Sequence, residues 1–324
     1  MLVDGNDPGV IQQAAALLAA GQLVAFPTET VYGLGARADD DAAVARIFAA
    51  KGRPQQHPLI VHVLGAADAA QFANAIPPAA KALMAAFWPG PLTVIVPRRP
   101  GFATAAAGGQ DSIGLRCPSH PVARALLSAA RAACVPGVAA PSANRFGHVS
   151  PTQAGHVVDE FGSDLLVLDG GACELGIESS IVDCSRVSPV LLRPGVLTRA
   201  RIEAALGQNL LAPDAQAPRA SGTLAAHYAP KARVRLVSRQ ELAECLVRPL
   251  PAGLAVYSRS LQVSGKFLYL QMPDDALAAA HDLFAALRWF DAAGANEIWI
   301  ESPPQNSDWD GVRDRLSRAA AAFA

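Results

Sequence analysis

The chain of 324 residues is poor in the features that mark several large classes of protein. Its five cysteines are scattered, without a CxxC pair or a close histidine partner, which argues against a zinc site and a disulfide framework. It has no run of about 18 apolar residues, as a membrane-spanning helix would require. The first residues, MLVDGNDPGV, lack the basic and then apolar segments of a secretory leader. We therefore expect a cytoplasmic protein with reduced cysteines and no membrane contact.

An excess of positive charge is also missing. The chain has 27 Lys and Arg against 28 Asp and Glu; up to residue 205 the counts are 15 and 16, which leaves 12 and 12 after it. Proteins whose main task is to bind nucleic acid usually carry a clear positive excess. Any RNA contact would therefore need a local patch, and small-molecule chemistry is favoured.

Hydrophobic periodicity divides the chain into two α/β units joined by an irregular segment. In residues 1–206, apolar strands alternate with Ala-rich helices, and some connections are too short for crossover helices, so we predict a mixed sheet. Residues 207–231 carry three prolines and two glycines without periodicity, which is typical of a linker. Strands and helices resume in residues 232–324, which predicts a small Rossmann-like domain. It has no GxGxxG motif, so dinucleotide binding is unsupported.

The pattern gives approximate bounds for these elements. In the first unit we predict strands at 23–26, 59–63, 92–97, 113–118, 137–141, 165–169, 179–184 and 190–194, and helices at 8–20, 40–50, 77–88, 121–134, 152–161 and 199–206. In the second unit we predict strands at 234–238, 253–258, 266–272 and 297–302, and helices at 239–246, 274–293 and 309–323. Asp7 and Pro8 are typical of a helix start.

Unusual polar clusters follow several predicted strands, where α/β sheets bind ligands. FPTETVYGLG (26–35) has neither the spacing nor the lysine of a phosphate-binding glycine loop. Lys51 and Arg53 in KGRPQQHP lie at a predicted helix end, where the helix dipole alone favours cations. A Lys-x-Arg pair before Pro also projects two cations from a fixed turn, which suits a polyphosphate. The residues alone leave both interpretations open.

Two charged or titratable residues lie within apolar strands. Arg116 needs an anion, which is either an internal carboxylate such as Glu29 or a substrate carboxylate. His62 in LIVHV is more typical of a structural core histidine than of a catalyst. Ser179 and Ser180 have no Asp or His at hydrolase spacing, so nucleophilic catalysis is disfavoured. The clusters together predict a crevice with hydroxyls, several cations and few carboxylates, suited to anionic ligands.

The clusters occur in an order that resembles the YrdC/Sua5 family. The segments that carry the likeness are FPTETVYGLGARADDDAAVARIFAAKGRPQQHPLIVHV, LRCP, PSANRFGHVSPT, ESSIVD and LRPG, within residues 8–206. HYAP (227–230), followed by a small α/β domain, resembles the long two-domain form. The resemblance implies a YrdC-like α/β catalytic domain with a twisted, mixed open sheet and helices (1–206), a linker or lid (207–231) and a smaller C-terminal Rossmann-like α/β domain (232–324).

The resemblance also implies an activity, L-threonylcarbamoyladenylate synthesis. L-threonine, bicarbonate or CO2, and ATP would give threonylcarbamoyl-AMP and pyrophosphate, with Mg²⁺ accompanying the nucleotide. The product would pass to a tRNA threonylcarbamoyltransferase that forms t6A, and direct contact with tRNA stays open. An RNA-binding translation or ribosome-maturation factor is the alternative. A carbamoyl-transfer module of the hydrogenase-maturation type is disfavoured, because those chains carry zinc-finger segments.

Position by position, the resemblance assigns residues to each substrate. L-threonine is assigned to Thr30, His62, Arg116, Ala140 and Ser180. ATP is assigned to Lys51, Arg53, His57, Ser112, Ser142, Asn144, Ser150, Arg193, His227 and Tyr228. Lys51 and Arg53 are the expected catalytic pair, no residue is expected to bind a metal, and none is assigned as general base.

Overall fold

The computed structural model describes residues 1–323 and contains two β-sheets with helices on their faces. The strands of the first sheet are β1 (Leu2–Asp4), β2 (Val24–Phe26), β3 (Gly33–Arg37), β4 (Ile60–His62), β5 (Leu92–Pro97), β6 (Ser112–Arg116), β7 (Val138–Ala139), β8 (Leu166–Asp169), β9 (Ser180–Asp183) and β10 (Val190–Arg193). Their order is β1-β8-β2-β3-β7-β4-β6-β5-β9-β10. The sheet contains both parallel pairs, such as β4–β6, and antiparallel pairs, such as β5–β6, so the prediction of a mixed sheet is confirmed.

Helices cover both faces of this sheet. They are α1 (Pro8–Ala19), α2 (Asp41–Lys51), α3 (Ala66–Phe72), α4 (Pro78–Phe87), α5 (Pro121–Ala132), α6 (Ala154–Phe161) and α7 (Arg199–Leu206). The paired helices α1 and α5 bury Leu18 and Leu126 against Phe26 on one face. The other helices form a larger core with Leu34 and Val61 on the opposite face. Asp7 caps α1 through its carboxylate, which accepts from the backbone N–H of Gly9 at 2.7 Å, as the sequence predicted.

The second sheet is entirely parallel. It has β11 (Arg233–Val237), β12 (Leu254–Ser258), β13 (Leu268–Gln271) and β14 (Glu297–Glu301), in the order β11-β14-β12-β13. Its helices are α8 (Arg239–Leu246), α9 (Ala276–Ala292) and α10 (Asp310–Ala321), and a short 3-10 helix covers Ser307–Trp309. This arrangement confirms a Rossmann-like second domain. No helix within residues 1–323 is long and apolar enough to cross a membrane.

Three elements of the first unit were not predicted. The pattern predicts no strand at the position of β3, because Gly33, Leu34, Gly35 and Ala36 lack the β-branched residues that mark strands. Strand β1 has only three residues and pairs in parallel with β8, far along the chain. Helix α3 is a seven-residue helix without a side-chain cap. The predicted strand at 137–141 shortens to the two residues of β7, because the chain leaves the sheet at Ala140 towards the site described next.

Candidate active site

Two of the predicted side chains lie next to each other in the middle of the first sheet. His62 in β4 is the register partner of Arg116 in the parallel strand β6. Ile60 lies two residues before His62 and therefore faces the same side of the sheet. On that side Ile60 packs with Ala217 and Ala220 of the linker instead of with a helix. The alternation of β4 thus turns His62 away from the core that contains Val61, and His62 and Arg116 line a cavity beside the linker.

A cavity of about 30 Å³ lies between this face and the linker. The sequence-predicted residues that line it are Arg53, His62, Arg116, Ala140, Ser142, Arg193, His227 and Tyr228. They come from strands β4, β6 and β10, from the loops after α2 and β7, and from the linker. A larger groove of about 1240 Å³ lies between residues 145–160, the linker and α9, but of the predicted residues only His227 lines it. The small cavity is therefore where the predicted chemistry meets.

Arg116 has an internal carboxylate partner, which was one of the two alternatives that the sequence left open. Its Nη2 donates to Glu29 Oε1 at 2.7 Å, and both side chains are at least 96 % buried. Glu29 Oε2 also accepts from the backbone N–H of Ser119 at 3.1 Å. Burial alone would raise the pKa of Glu29, but Arg116 beside it lowers the pKa below its usual value. The Nε of Arg116 is buried without a partner, so one donor of the guanidinium is free for a ligand in the cavity.

His62 is held as a neutral ring. Burial, followed by the adjacent Arg116, lowers its pKa to about 3. Its Nδ1 has no hydrogen-bond partner, and the ring of Phe26 meets it edge-on at 6.0 Å between centroids. At neutral pH the ring can offer a hydrogen bond to a substrate without adding a charge.

We expect His62 not to titrate in the physiological range. Over pH 5 to 8 its ring nitrogens should keep the chemical shifts of neutral imidazole in ¹⁵N NMR, whereas an unperturbed histidine changes near pH 6.5. Because the folded-state pKa is depressed, the unfolded chain takes up this proton first, and His62 lowers stability as the pH falls below about 6.5. A mid-range titration of this residue, assigned with a His62→Asn variant, would contradict the buried neutral state.

Arg53 is the cation that most directly faces the cavity without a carboxylate partner. It follows Gly52, which ends α2 in the left-handed conformation. Its Nη2 donates to Pro58 O at 3.1 Å and to Ser221 Oγ at 3.4 Å, and its Cζ lies 6.0 Å from the centroid of the Phe146 ring. Burial lowers its pKa to about 10, so it stays positively charged at neutral pH. Its Nε is buried and unpartnered, which leaves a donor for an anionic ligand.

Lys51 reaches the site through the turn that follows β7. Its Nζ donates to Ser142 O at 2.6 Å and to Asn144 O, so it holds the PSAN turn in place. Burial, and then the neighbouring charge of Arg53, lowers its pKa well below the usual value for lysine. Lys51 does not line the cavity itself, but the turn that it anchors contributes Ser142 to the wall.

The remaining predicted residues lie around the cavity with their polar groups turned to the protein. Thr30 Oγ1 is bonded to Thr28 Oγ1 at 2.8 Å, and Ser180 Oγ donates to Leu197 O at 3.1 Å. Ser150 Oγ donates to Glu178 Oε1. Asn144 Nδ2 donates to Arg145 O and His148 O. The ring of His57 packs against Phe146, and Ser112 lines a separate small cavity that shares Ile60 and Ser221 with the first.

The linker comes close to Arg193 and covers the cavity at Ser221 and Gly222. Arg193 Nη1 donates to Ser221 O at 2.8 Å, and its Nη2 donates to Ser179 O at 2.9 Å. A Cβ at Gly222 would overlap the Tyr228 hydroxyl and lie 2.7 Å from Arg193 Nη1, so only glycine allows the linker to approach this closely. The rings of His227 and Tyr228 meet edge-on at 4.2 Å between centroids, and both line the cavity.

Three lining residues with polar side chains have no role predicted from the sequence, namely Thr28, Glu178 and Ser221. Thr28 is in the same PTET segment as Thr30, and its Oγ1 bonds to Thr30 Oγ1 and Val31 O. The segment predicted a hydroxyl here but not which threonine would face the cavity. Glu178 is the first residue of the ESS motif. Its acidic side chain, in a site otherwise predicted to be rich in cations, is the sequence feature that could have identified it. Ser221 carried no signal, because linker position depends on tertiary packing.

Both parts of the chain match known families. Residues 16–195 match the family described as Telomere recombination, whose members include Sua5, YciO and YrdC, and residues 197–321 match the C-terminal domain of threonylcarbamoyl-AMP synthase. Threonylcarbamoyl-AMP synthase of Pyrococcus abyssi is 37 % identical over 96 % of this chain and 94 % of its own length. The enzyme of that name from Bacillus subtilis is also 37 % identical, over 97 % of this chain and 94 % of its own length.

A solved structure supports the same relationship. The structure of Pyrococcus abyssi Sua5 complexed with L-threonine superposes with a TM-score of 0.87 at 33 % identity, covering 98 % of this chain and 95 % of that one. The likeness therefore extends over both sheets and the linker between them.

Proposed function

The chain belongs to the YrdC/Sua5 family in its two-domain form and is a threonylcarbamoyl-AMP synthase, and we propose how its residues carry out that reaction. The observation that carries the proposal is the single cavity, covered by the linker, that His62, Arg116, Arg53 and Arg193 line together. A site that joins an amino acid to a nucleotide needs an anion-binding group at each end. Arg116 supplies one end and Arg53 with Arg193 the other.

We assign the β4–β6 end of the cavity to L-threonine. Arg116, steadied by Glu29, binds the substrate carboxylate through its free Nε, and neutral His62 accepts or donates a hydrogen bond beside it. The hydroxyls of Thr28 and Thr30 are hydrogen-bonded to each other at this end. Ala140 lines the cavity, and we also assign Ser180 to this end. The bond from Glu29 to Nη2 fixes the orientation of the Arg116 guanidinium. The unpartnered Nε is still a donor for the substrate.

We assign the opposite end to ATP. Arg53 and Arg193 are buried cations without a carboxylate directly bonded to them, so they favour phosphate oxygens. Lys51 acts there by holding the PSAN turn, which presents Ser142 and Asn144. His57, Ser112, Ser150, His227 and Tyr228 surround this end and are kept as nucleotide contacts in the proposal.

The reaction needs positioning and charge stabilisation more than covalent help. The neutral amine of threonine attacks CO2, a C–N bond forms as one C=O π bond opens, and the amine proton passes to water. A carbamate oxygen then attacks the α-phosphorus in line, and the bond to pyrophosphate breaks. Arg53 and Arg193 stabilise the negative charge that develops on the phosphates. Because carbamates are labile in water, the closed linker also protects the intermediate.

The linker must move for substrates to enter. The cavity of about 30 Å³ has the volume of one water molecule, whereas ligand sites for molecules of nucleotide size hold several hundred Å³. Ser221 and Gly222 occupy the space in front of Arg193. The linker therefore acts as a lid that opens for ATP and closes during the reaction.

The described part of the chain offers no ligand cage for Mg²⁺. Within residues 1–323 no three His, Cys, Asp or Glu side chains come together as metal ligands. The two carboxylates next to the cavity, Glu29 and Glu178, are both paired with arginines. The metal expected with ATP would therefore be held by the nucleotide phosphates and water, and no step of the proposed reaction is assigned to it.

The activity has a direct test. Purified protein should release pyrophosphate from ATP and form threonylcarbamoyl-AMP, detected by mass spectrometry, only when L-threonine and bicarbonate are both present. Omission of either should abolish both products. Tight RNA binding without this product would favour the RNA-binding alternative. The chain has no excess of positive charge, which argues against that alternative. Transfer of the product to a tRNA threonylcarbamoyltransferase, and a cytoplasmic location, stay predictions.

A further inference from the structure

Arg315 in α10 of the second domain is completely buried against the first domain. It has no exposed surface and is the largest fully buried side chain in the described structure. The helix comes close enough that a Cβ at Gly311 would lie 2.9 Å from Gly195 O. A buried guanidinium is unfavourable unless its donors are satisfied, so its position needs an explanation.

The donors of Arg315 are used on two loops that border the cavity. Its Nε donates to Glu178 Oε2 at 2.8 Å, and its Nη2 donates to Glu178 O at 3.1 Å. Its Nη1 donates to Pro194 O and to Asp314 Oδ2, each at 2.8 Å. Glu178 lines the cavity, and Pro194 follows Arg193, which also lines it. One side chain from the second domain thus fixes both loops.

Glu178 connects Arg315 to residues at the end of the cavity that is assigned to the nucleotide. Its second oxygen, Oε1, accepts from Ser150 Oγ. The Cζ of Arg315 also lies 5.3 Å from the centroid of the Tyr228 ring, a distance suited to a cation–π contact. Ser150 bonds to Glu178, Arg193 directly precedes Pro194, and Tyr228 faces the guanidinium, so three separate segments are linked to Arg315.

We propose that Arg315 is a positioning residue for nucleotide use, and that the second domain completes the active site by holding Glu178 as an oriented, charged acceptor. The proposal rests on the proposed function for the assignment of the nucleotide end. It goes beyond that function by giving the second domain a part in the reaction. Arg315 itself does not line the cavity and is not expected to touch substrate.

The charge of Glu178 depends on its neighbours. Burial alone would raise the pKa of this carboxyl, but Arg315 and Arg193 lower it below its usual value. The charged and titratable groups that face it are Arg315 and Asp314 from α10, Arg193 from β10, Lys51 from α2, and His227 and Tyr228 from the linker. Removal of Arg315 takes away the largest of the effects that lower this pKa, so the pKa of Glu178 rises and the carboxyl is more readily protonated.

The test compares Arg315→Met, Glu178→Gln and the double variant with the wild-type full-length chain. We expect Arg315→Met to raise KM for ATP by about 10- to 100-fold, because small displacements of positioning groups have effects of that size. This KM should fall again as the pH rises from 6 to 9 and Glu178 recovers its charge. The pH dependence should be absent from the wild type and from the double variant. Arg315→Lys should restore part of the loss.

Controls separate positioning from folding. Arg313→Met removes an arginine from the same helix that bonds to Asp310 and Asn306, away from the cavity, and should match the wild type. Thermal unfolding of each variant reports any loss of stability. A destabilised Arg315→Met protein with an unchanged KM at every pH would show a purely structural role and overturn the proposal, as would wild-type behaviour throughout.

Direct ATP binding, measured by calorimetry on the same variants, keeps the two proposals distinguishable. If the wild type binds ATP but makes no threonylcarbamoyl-AMP, the proposed function fails. The Arg315 inference still stands or falls on whether the affinity for ATP drops about 10-fold or more in Arg315→Met and regains its value with rising pH.

Discussion

Replacement of Arg53 by alanine is expected to lower kcat/KM for ATP by about 10²- to 10³-fold, because one buried donor to developing phosphate charge is lost. The KM for L-threonine should change little, since the proposed function assigns L-threonine to Arg116 and His62 and not to Arg53. Steady-state pyrophosphate release with each substrate varied in turn measures both values. Equal losses for ATP and L-threonine would contradict the division of the cavity into two ends.

The same substitution should not destabilise the fold. The contacts of the Arg53 guanidinium are with a carbonyl, a hydroxyl and an aromatic ring, so no carboxylate loses its partner. Its removal relieves a buried charge, and the free energy of unfolding should be unchanged or higher. Arg46→Ala, an exposed arginine on α2, the helix that precedes Arg53, is the matched control and should leave activity and stability unchanged.

Replacement of Arg116 by alanine is expected to affect both catalysis and stability. The kcat/KM for L-threonine should fall by about 10²-fold or more, because the carboxylate loses its donor. The free energy of unfolding at neutral pH should fall by about 3–5 kcal/mol, since Glu29 is left charged, buried and unpaired. Kinetics with L-threonine varied and urea unfolding measure the two effects.

Glu29 makes the stability loss dependent on pH. In the wild type the pKa of Glu29 is lowered, so the pair stabilises the fold above about pH 4.5 and this contribution is lost as the pH falls. In Arg116→Ala burial raises that pKa, so the difference between the proteins should be largest at neutral pH and shrink towards pH 4. Glu29→Gln added to Arg116→Ala should recover much of the stability but none of the threonine use.

The surface pair Arg186–Asp214 is the matched control for Arg116. Its atoms are 2.7 Å apart, but both side chains are partly exposed. Arg186→Ala should leave threonine use and unfolding unchanged, because solvent replaces the lost contact. A loss as large as that of Arg116→Ala would mean that burial is not the source of the effect.

Regular periodicity was sufficient to predict most of the fold. The run LTVIVP became β5, and Asp7 with Pro8 became the start of α1. Strand β3 could not be predicted in this way, because its small residues are selected by packing against Phe26 and not by strand propensity. Local pattern also gives no information on which distant strand will pair with Leu2–Asp4.

The site was predictable at the level of segments and less so at the level of atoms. The family motifs identified Arg53, His62 and Arg116, and the alternation of β4 explains why His62 turns towards the linker. Whether Arg116 bonds to Glu29 could only be posed as an alternative, since the two residues are 87 positions apart. The contact of Glu178 with Arg315 spans 137 positions and had no counterpart in any motif.

The ion pair between Glu178 and Arg315 also bears on how the protein is made. During synthesis on the ribosome, the entire first sheet emerges before the last helix is translated. Until then Glu178 has no cationic partner from α10, so its carboxylate has to stay hydrated or take up a proton. A chain that ended before α10 would contain every motif of the first domain. It would lack Arg315, which orients Glu178 in the ESS motif.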